Sequence, residues 1–202
     1  MTLRLAVLGD SIGYGVGASH PEDALAPRLA ADLSTLGLPV VTKLFAVPGA
    51  RSSDLAAQVD RAAAWDPDIA VIVVGANDLT RLVPAEQAAA QLERAVRSLR
   101  SSGAQVVVAP APDLSVVPYV PAMMREMVQT ASRLLRQAQA RATLAAGGRV
   151  ADPDAATASA FGTDPSLFCR DGLHPSSAGY ALIASALAPA VRAAAAEVAS
   201  RN

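Results

Sequence analysis

Apolar and polar positions fall in alternating blocks along this chain. Five short runs rich in Val, Ile and Leu recur, at residues 3 to 8 (LRLAVL), 39 to 47 (PVVTKLFAV), 69 to 74 (IAVIVV), 104 to 109 (AQVVVA) and, more weakly, 149 to 152 (RVAD). Unbroken apolar runs of this length predict strands buried on both faces. Between them, helical spacing of apolar residues covers about 22 to 36, 53 to 64, 85 to 101, 121 to 146 and 176 to 200. Strands alternating with crossover helices predict an α/β fold, a three-layer α/β/α sandwich around a five-stranded parallel sheet with flavodoxin-like strand order. Local signals mark several helix ends: Ser53 is placed to cap, Pro84 suits a first turn, and Gly103 and Gly147 suit terminations. Two longer loops, 110 to 121 and 153 to 173, are of a length that often carries function.

The 202 residues contain no repeat or linker, so one domain spanning 1–202 is expected. Hydrophobic residues at 52% against 17% charged predict a folded chain. Seventeen Lys and Arg against 18 Asp and Glu give a net charge of −1, without the basic field that nucleic acid would require. Cys169 is the only cysteine, so no internal disulfide is available, and no Cys/His cluster has zinc-ligand spacing. No metal or cofactor is expected, and a reducing cytoplasm fits. The N-terminal apolar stretch runs into Gly9 and Asp10 without a cleavage pattern, so no export signal is read there. The alanine-rich stretch from 180 to 200 is interrupted by Pro189, Arg192 and Glu197, which predicts a surface helix and no membrane span.

In an open parallel sheet, ligands bind beyond the carboxyl ends of the strands. GDSIG with Ser11 follows the first run, PGARSS with Gly49 the second and GAND with Asn77 the third, while DGLHPS with Asp171 and His174 lies on the long loop after the fifth. These residues supply a hydroxyl nucleophile, an imidazole base, a carboxylate to orient it and hydrogen-bond donors, the parts needed for acyl transfer through a covalent serine intermediate. A serine hydroxyl needs a base within reach, and only His20 and His174 exist. His174 has a carboxylate three residues earlier, whereas His20 sits in a polar loop near Glu22 and Asp23, so His174 is favoured. A glycine at 49 lets a backbone amide approach a substrate oxygen closely. Asp10 and Asp78 read as loop-fixing groups, and Cys169 as a small buried hydrophobe.

Taken in order, GDS, Gly49, GAND and DGLH resemble the four blocks of the SGNH hydrolases, also called GDSL lipases and esterases; the resemblance spans essentially the whole chain, with GDSIG standing where the family name has GDSL. The resemblance implies Ser11 as nucleophile, His174 as general base and Asp171 as its partner. It also implies an oxyanion hole built from the backbone amides of Ser11 and Gly49 and the Asn77 side chain. Two other motif matches are set aside. GDSIG satisfies the G-x-S-x-G elbow of α/β-hydrolases, but that fold places several strands before its serine. GYGVGA at 13 to 18 satisfies G-x-G-x-x-A, yet starts several residues after the first strand and has no acidic residue ending the second.

The expected activity is hydrolysis of small or short-chain carboxylic esters without a cofactor. The same triad would serve a carbohydrate O-deacetylase or an acyltransferase, and a silent acyl- or glycan-binding module is the non-enzyme alternative. Arg51, Arg81 and Arg170 lie close in sequence to Gly49, Asn77 and Asp171, and would suit an anionic or polyhydroxylated substrate if they ring the site mouth.

Overall fold

The structure is a computed structural model that describes residues 2–151 and 154–201. Its strands are β1 (Leu3–Gly9), β2 (Val40–Leu44), β3 (Ile69–Val73), β4 (Gln105–Ala109) and β5 (Arg149–Val150). The helices are α1 (Ser11–Tyr14), α2 (Leu25–Ser34), α3 (Leu55–Ala63), α4 (Ala76–Thr80), α5 (Ala85–Ser101), α6 (Arg125–Ala145), α7 (Asp154–Thr163) and α8 (Ser177–Ala199). All strand pairs are parallel and the spatial order is β2-β1-β3-β4-β5, the flavodoxin-like order expected. The order reverses direction between β1 and β3, opening a crevice at their carboxyl ends.

Side chains alternate across the sheet and build two cores. Leu3, Leu5 and Val7 of β1 pack with Val71 and Val107 against Leu29 of α2 and Tyr180, Leu187 and Val191 of α8. Ala6 and Leu8 face the other way, joining Ile72 and Val108 against Leu55 and Val59 of α3 and Leu92, Val96 and Leu99 of α5. By length and composition α8 could cross a membrane. In this fold Tyr180, Leu187, Val191 and Ala195 are buried against the sheet, so the predicted surface helix is half core. The Arg192–Asp32 ion pair ties its outer face to α2.

Several boundaries differ from the sequence reading for local reasons. β2 is an edge strand with Val41 to Leu44 exposed, so it is not buried on both faces; only Phe45 and Ala46, where the chain turns inward, are covered. Ser53 does not cap α3: it lies inside a 3-10 turn (Ser52–Asp54), where the Asp54 carboxylate accepts the Arg51 N–H at 2.8 Å. Pro84 is the residue before α5 and not in its first turn. Gly103 and Gly147 follow α5 and α6 with φ of +99° and +76°, a conformation that ends a helix and favours glycine. The 153 to 173 segment is not one long loop, since it holds α7 and a 3-10 turn (Pro165–Leu167), and the 110 to 121 loop holds another (Leu114–Val116). Asp152, at the end of the fifth predicted strand, and Pro153 lie outside the described residues.

Candidate active site

Three of the strand-end motifs lie beyond the carboxyl ends of β1, β2 and β3, and DGLH joins them from the loop before α8. β1 ends at Gly9, and Asp10 caps α1 by accepting the Ile12 N–H at 3.0 Å, which places Ser11 at the first position of that turn. The His174 loop reaches Ser11 from the far end of the chain: His174 Nε2 stands 3.0 Å from Ser11 Oγ, and Nδ1 stands 2.6 Å from Asp171 Oδ2. With the proton on Nδ1, the ring donates to Asp171 and accepts from the serine hydroxyl. Asp171 also shapes its own turn, because Oδ1 accepts the backbone N–H of Leu173 at 2.8 Å and of His174 at 2.9 Å. Desolvation pushes its pKa upward, but the hydrogen bonds from the His174 ring, the two amides and the Cys169 thiol outweigh it and hold this carboxyl well below the usual range. It is therefore ionised wherever the imidazole needs a counter-charge.

Gly17 allows this loop to close. Its φ is +97°, and a Cβ there would stand 2.4 Å from the Pro175 carbonyl oxygen and 3.1 Å from His174 Cβ. Of the glycines of GYGVGA, Gly17 is thus accounted for by the packing of the His174 loop, whereas Gly13 lies against Leu8 and Ala46, and Gly15 against Ala24. His20, the alternative base, lies exposed before a 3-10 turn (Pro21–Asp23).

The donor side faces the same point. Gly49 has φ +83° with open space where a side chain would be, and it borders the same cavity as Ser11, Asn77 and His174. Among the described residues, the N–H groups of Ser11 and Gly49 have no protein acceptor. Asn77 Nδ2 donates to the Ala50 carbonyl at 3.0 Å, which fixes the amide plane and leaves its second N–H for a ligand. Asp78 is buried and accepts both the N–H and the hydroxyl of Ser52 at 3.0 Å, so it clamps the loop carrying Gly49 to α4, which carries Asn77. Burial pushes its pKa up, against the lowering effect of those bonds. Asp10 is equally buried, and desolvation, with Asp78 adding repulsion, pushes it up to about 7.

Two glutamines that sequence reasoning missed support this edge from beneath. Gln58 of α3 accepts the Gly9 N–H at 2.7 Å and donates to the Gly9 carbonyl at 2.9 Å. Gln139 of α6 accepts the Ala111 N–H at 2.7 Å and donates to the Val74 carbonyl at 3.0 Å, joining the ends of β3 and β4. Gln58 sits on an otherwise apolar helix stripe with Leu55, Val59 and Ala62, and Gln139 sits among Leu135, Ala138 and Ala142 on a stripe that also buries Ser132 and Thr143. A polar residue on a buried stripe is the signal that would have found them.

Beside Ser11 opens a cavity of about 350 Å³. Its walls come from the ends of β3 and β4 (Val73, Ala109), the 110 to 117 segment, α7 (Thr157, Phe161) and α8 (Ile183). Leu173 lines it and is 46% exposed, which marks the mouth. Arg51, Arg81 and Arg170 do not line this cavity: Arg51 is half-buried beside the clamp with its charge acting on Asp78, and the other two are exposed. Among the described residues, no group of three or more His, Cys, Asp or Glu is placed to hold a metal ion.

A flavodoxin-like sandwich with a Ser–His–Asp chain at its sheet edge, and amide donors from the next two strand ends, defines the SGNH class of α/β proteins. The chain belongs to the GDSL-like lipase/acylhydrolase family, whose profile matches residues 7–182. It is 36% identical over 194 residues to a GDSL-like esterase of Mycobacterium tuberculosis, an alignment that covers 94% of this chain and 62% of that protein. The chain thus spans less than two thirds of that relative's length. Among solved structures, it is similar to TesA with a TM-score of 0.77 at 18% identity, covering 95% of this chain and 99% of that one. It is also similar to a catalytic mutant of Axe2, an acetylxylan esterase from Geobacillus stearothermophilus, with a TM-score of 0.72 at 19% identity over 95% of both chains.

Proposed function

We propose that this protein is a serine-dependent carboxylic ester hydrolase that works through an acyl-enzyme on Ser11. The observation that carries this reading is the unbroken hydrogen-bonded chain from Ser11 Oγ through the His174 ring to Asp171, at the edge of an apolar cavity. Membership of the lipase/acylhydrolase family supports it.

The reaction follows from the geometry. Ser11 Oγ attacks the ester carbonyl carbon as its proton passes to His174 Nε2, and the carbonyl electron pair moves onto oxygen. The resulting oxyanion is stabilised by the N–H groups of Ser11 and Gly49 and by Asn77 Nδ2, while ionised Asp171 stabilises the imidazolium. The tetrahedral intermediate expels the alcohol, which takes the proton from Nε2. Water then repeats the sequence on the acyl-enzyme, with His174 as base, and releases the acid. Every proton is returned, so the cycle needs no cofactor. The apolar cavity suits the acyl group, leaving the alcohol at the open side. A lone Cys169 without a disulfide partner in the chain fits a reducing compartment.

A fluorophosphonate probe supplies the test. Stoichiometric labelling mapped to Ser11, lost in Ser11→Ala, is the expected result; a folded protein that never reacts would return the chain to the class of silent binding modules.

A further inference from the structure

The cavity beside Ser11 ends against a thin wall. Val116, in the 3-10 turn of the 110 to 121 loop, and Phe161 of α7 line it from inside. The same two side chains line a second depression of about 680 Å³ on the outer surface, bounded by the start of α6 and by α7. Among the described residues, no other side chain borders both. The separation is about one side chain thick, since a Cβ on Gly162 would already touch Val116 Cγ1 at 3.5 Å.

The two halves of the wall are held differently. Phe161 is braced from the side by Phe168, which also lines the cavity, edge-on with ring centroids 5.1 Å apart, and its Cζ lies 3.1 Å from where a Cβ on Gly179 would be. Val116 is half-exposed on a short turn, so trimming it removes wall without removing core. Among the described residues, and apart from Ser11, His174 and Asn77, the only polar side chains lining the cavity are those of Thr80, Asp113 and Thr157. A hydrocarbon chain is the ligand chemistry that such a surface rewards. At roughly 30 Å³ per heavy atom, about the volume of a liquid water molecule, the cavity of about 350 Å³ holds about twelve heavy atoms, and once the ester group beside Ser11 takes its share a saturated chain of about six to ten carbons fits.

We propose that Val116 and Phe161 form the end wall that sets acyl-chain length, and that the preferred substrates are medium-chain acyl esters. The outer groove shares Val116 and Phe161 with the cavity, and a longer chain reaches it only when the wall is cut. This inference rests on Ser11 as the acylated nucleophile. It differs from the expectation of a small acyl group, which composition and motifs could not relate to a volume.

The experiment measures kcat/KM for p-nitrophenyl esters from acetyl to hexadecanoyl, alongside fluorophosphonate labelling of Ser11. The purified protein should peak between hexanoyl and decanoyl and fall by about tenfold or more at hexadecanoyl, in keeping with discrimination of about tenfold or more per methylene in a closed apolar pocket. Val116→Ala should move the optimum to longer chains and raise hexadecanoyl turnover by about tenfold, with acetyl and butyryl esters within about threefold of the parent. Phe161→Leu, which keeps most of the packing volume, should shift the profile in the same direction. An optimum at acetyl, or a profile unchanged in both variants while Ser11 still labels normally, overturns the wall. Failure of the parent protein to label overturns the nucleophile itself, and the two failures are thereby told apart.

Discussion

The side-chain amide of Gln58 bonds both backbone groups of Gly9, taking its N–H at 2.7 Å and giving to its carbonyl at 2.9 Å. Gly9 is two residues before Ser11, so the helix behind the sheet fixes the direction in which the chain leaves β1. Gln58→Leu would leave the buried Gly9 N–H unpaired, at about 1–3 kcal/mol, while the Gly9 carbonyl keeps the Val47 N–H at 3.0 Å. Lower stability in denaturant and a reduced kcat with nearly unchanged KM are expected. Full kcat in a merely less stable variant would make Gln58 a packing residue only.

Ser11→Ala and His174→Ala should each lower kcat by about 10⁴-fold or more, because nucleophile and base act as a unit. The double variant should lose little beyond either single one. Circular dichroism should show the fold retained, since both side chains face the cavity and not the core. Retention of more than about a tenth of the activity by Ser11→Ala would refute the nucleophile.

Asn77→Ala removes the bond to the Ala50 carbonyl and, on the proposed mechanism, one oxyanion donor. A fall in kcat of roughly 10² to 10³, with KM changed little, is the signature of a group that acts on charge appearing in the transition state. Were steady-state kinetics on an aryl ester to show the loss wholly in KM, Asn77 would instead be a ground-state contact.

Burial first, and then repulsion from Asp78, raise the Asp10 pKa to about 7, against the pull of the Ile12 amide and the His174 ring. An acid whose pKa is higher folded than unfolded keeps its proton longer in the folded state, so folding stability falls as pH rises from about 4 to about 7. Asp10→Asn keeps an oxygen for the Ile12 cap and removes the titration. Its melting temperature should therefore drop less between pH 5 and pH 8 than that of the parent. Parallel declines in thermal melts of the two proteins would assign the effect to another group.

The sheet and the four motif loops were legible in the sequence because each rests on a local signal. Buried parallel strands are continuous apolar runs, and the residues just beyond them stand at the ligand-binding edge by the geometry of the fold. The pairing of His174 with Asp171 was also local, a matter of three positions on one loop. The edge position of β2 was not legible, because Val40 and Val41 read the same whether or not a neighbouring strand covers them. Nor was α7, whose alanines and threonines carry no amphipathic stripe. The clamp between Asp78 and Ser52 and the two glutamine supports depend on contacts 26 to 65 residues apart in the chain, and no periodicity encodes those partners. Arg51, Arg81 and Arg170 show the reverse limit. They neighbour the site residues in sequence, yet adjacency does not fix side-chain direction, and none of the three lines the cavity.

The separation of Ser11 from His174 by 163 residues also sets a timetable. At about 5–20 residues per second, Ser11 is made roughly 8 to 33 seconds before His174. During that interval Ser11 is an ordinary alcohol, because β3, β4 and the His174 loop that complete its surroundings do not all exist. A nascent chain interrupted at α7 would have most of the sheet and part of the cavity wall but no activated serine. On the proposed mechanism, reactivity at Ser11 is therefore a late event in the making of the molecule, and the labelling chemistry that tests the nucleophile would report when the chain has closed upon itself.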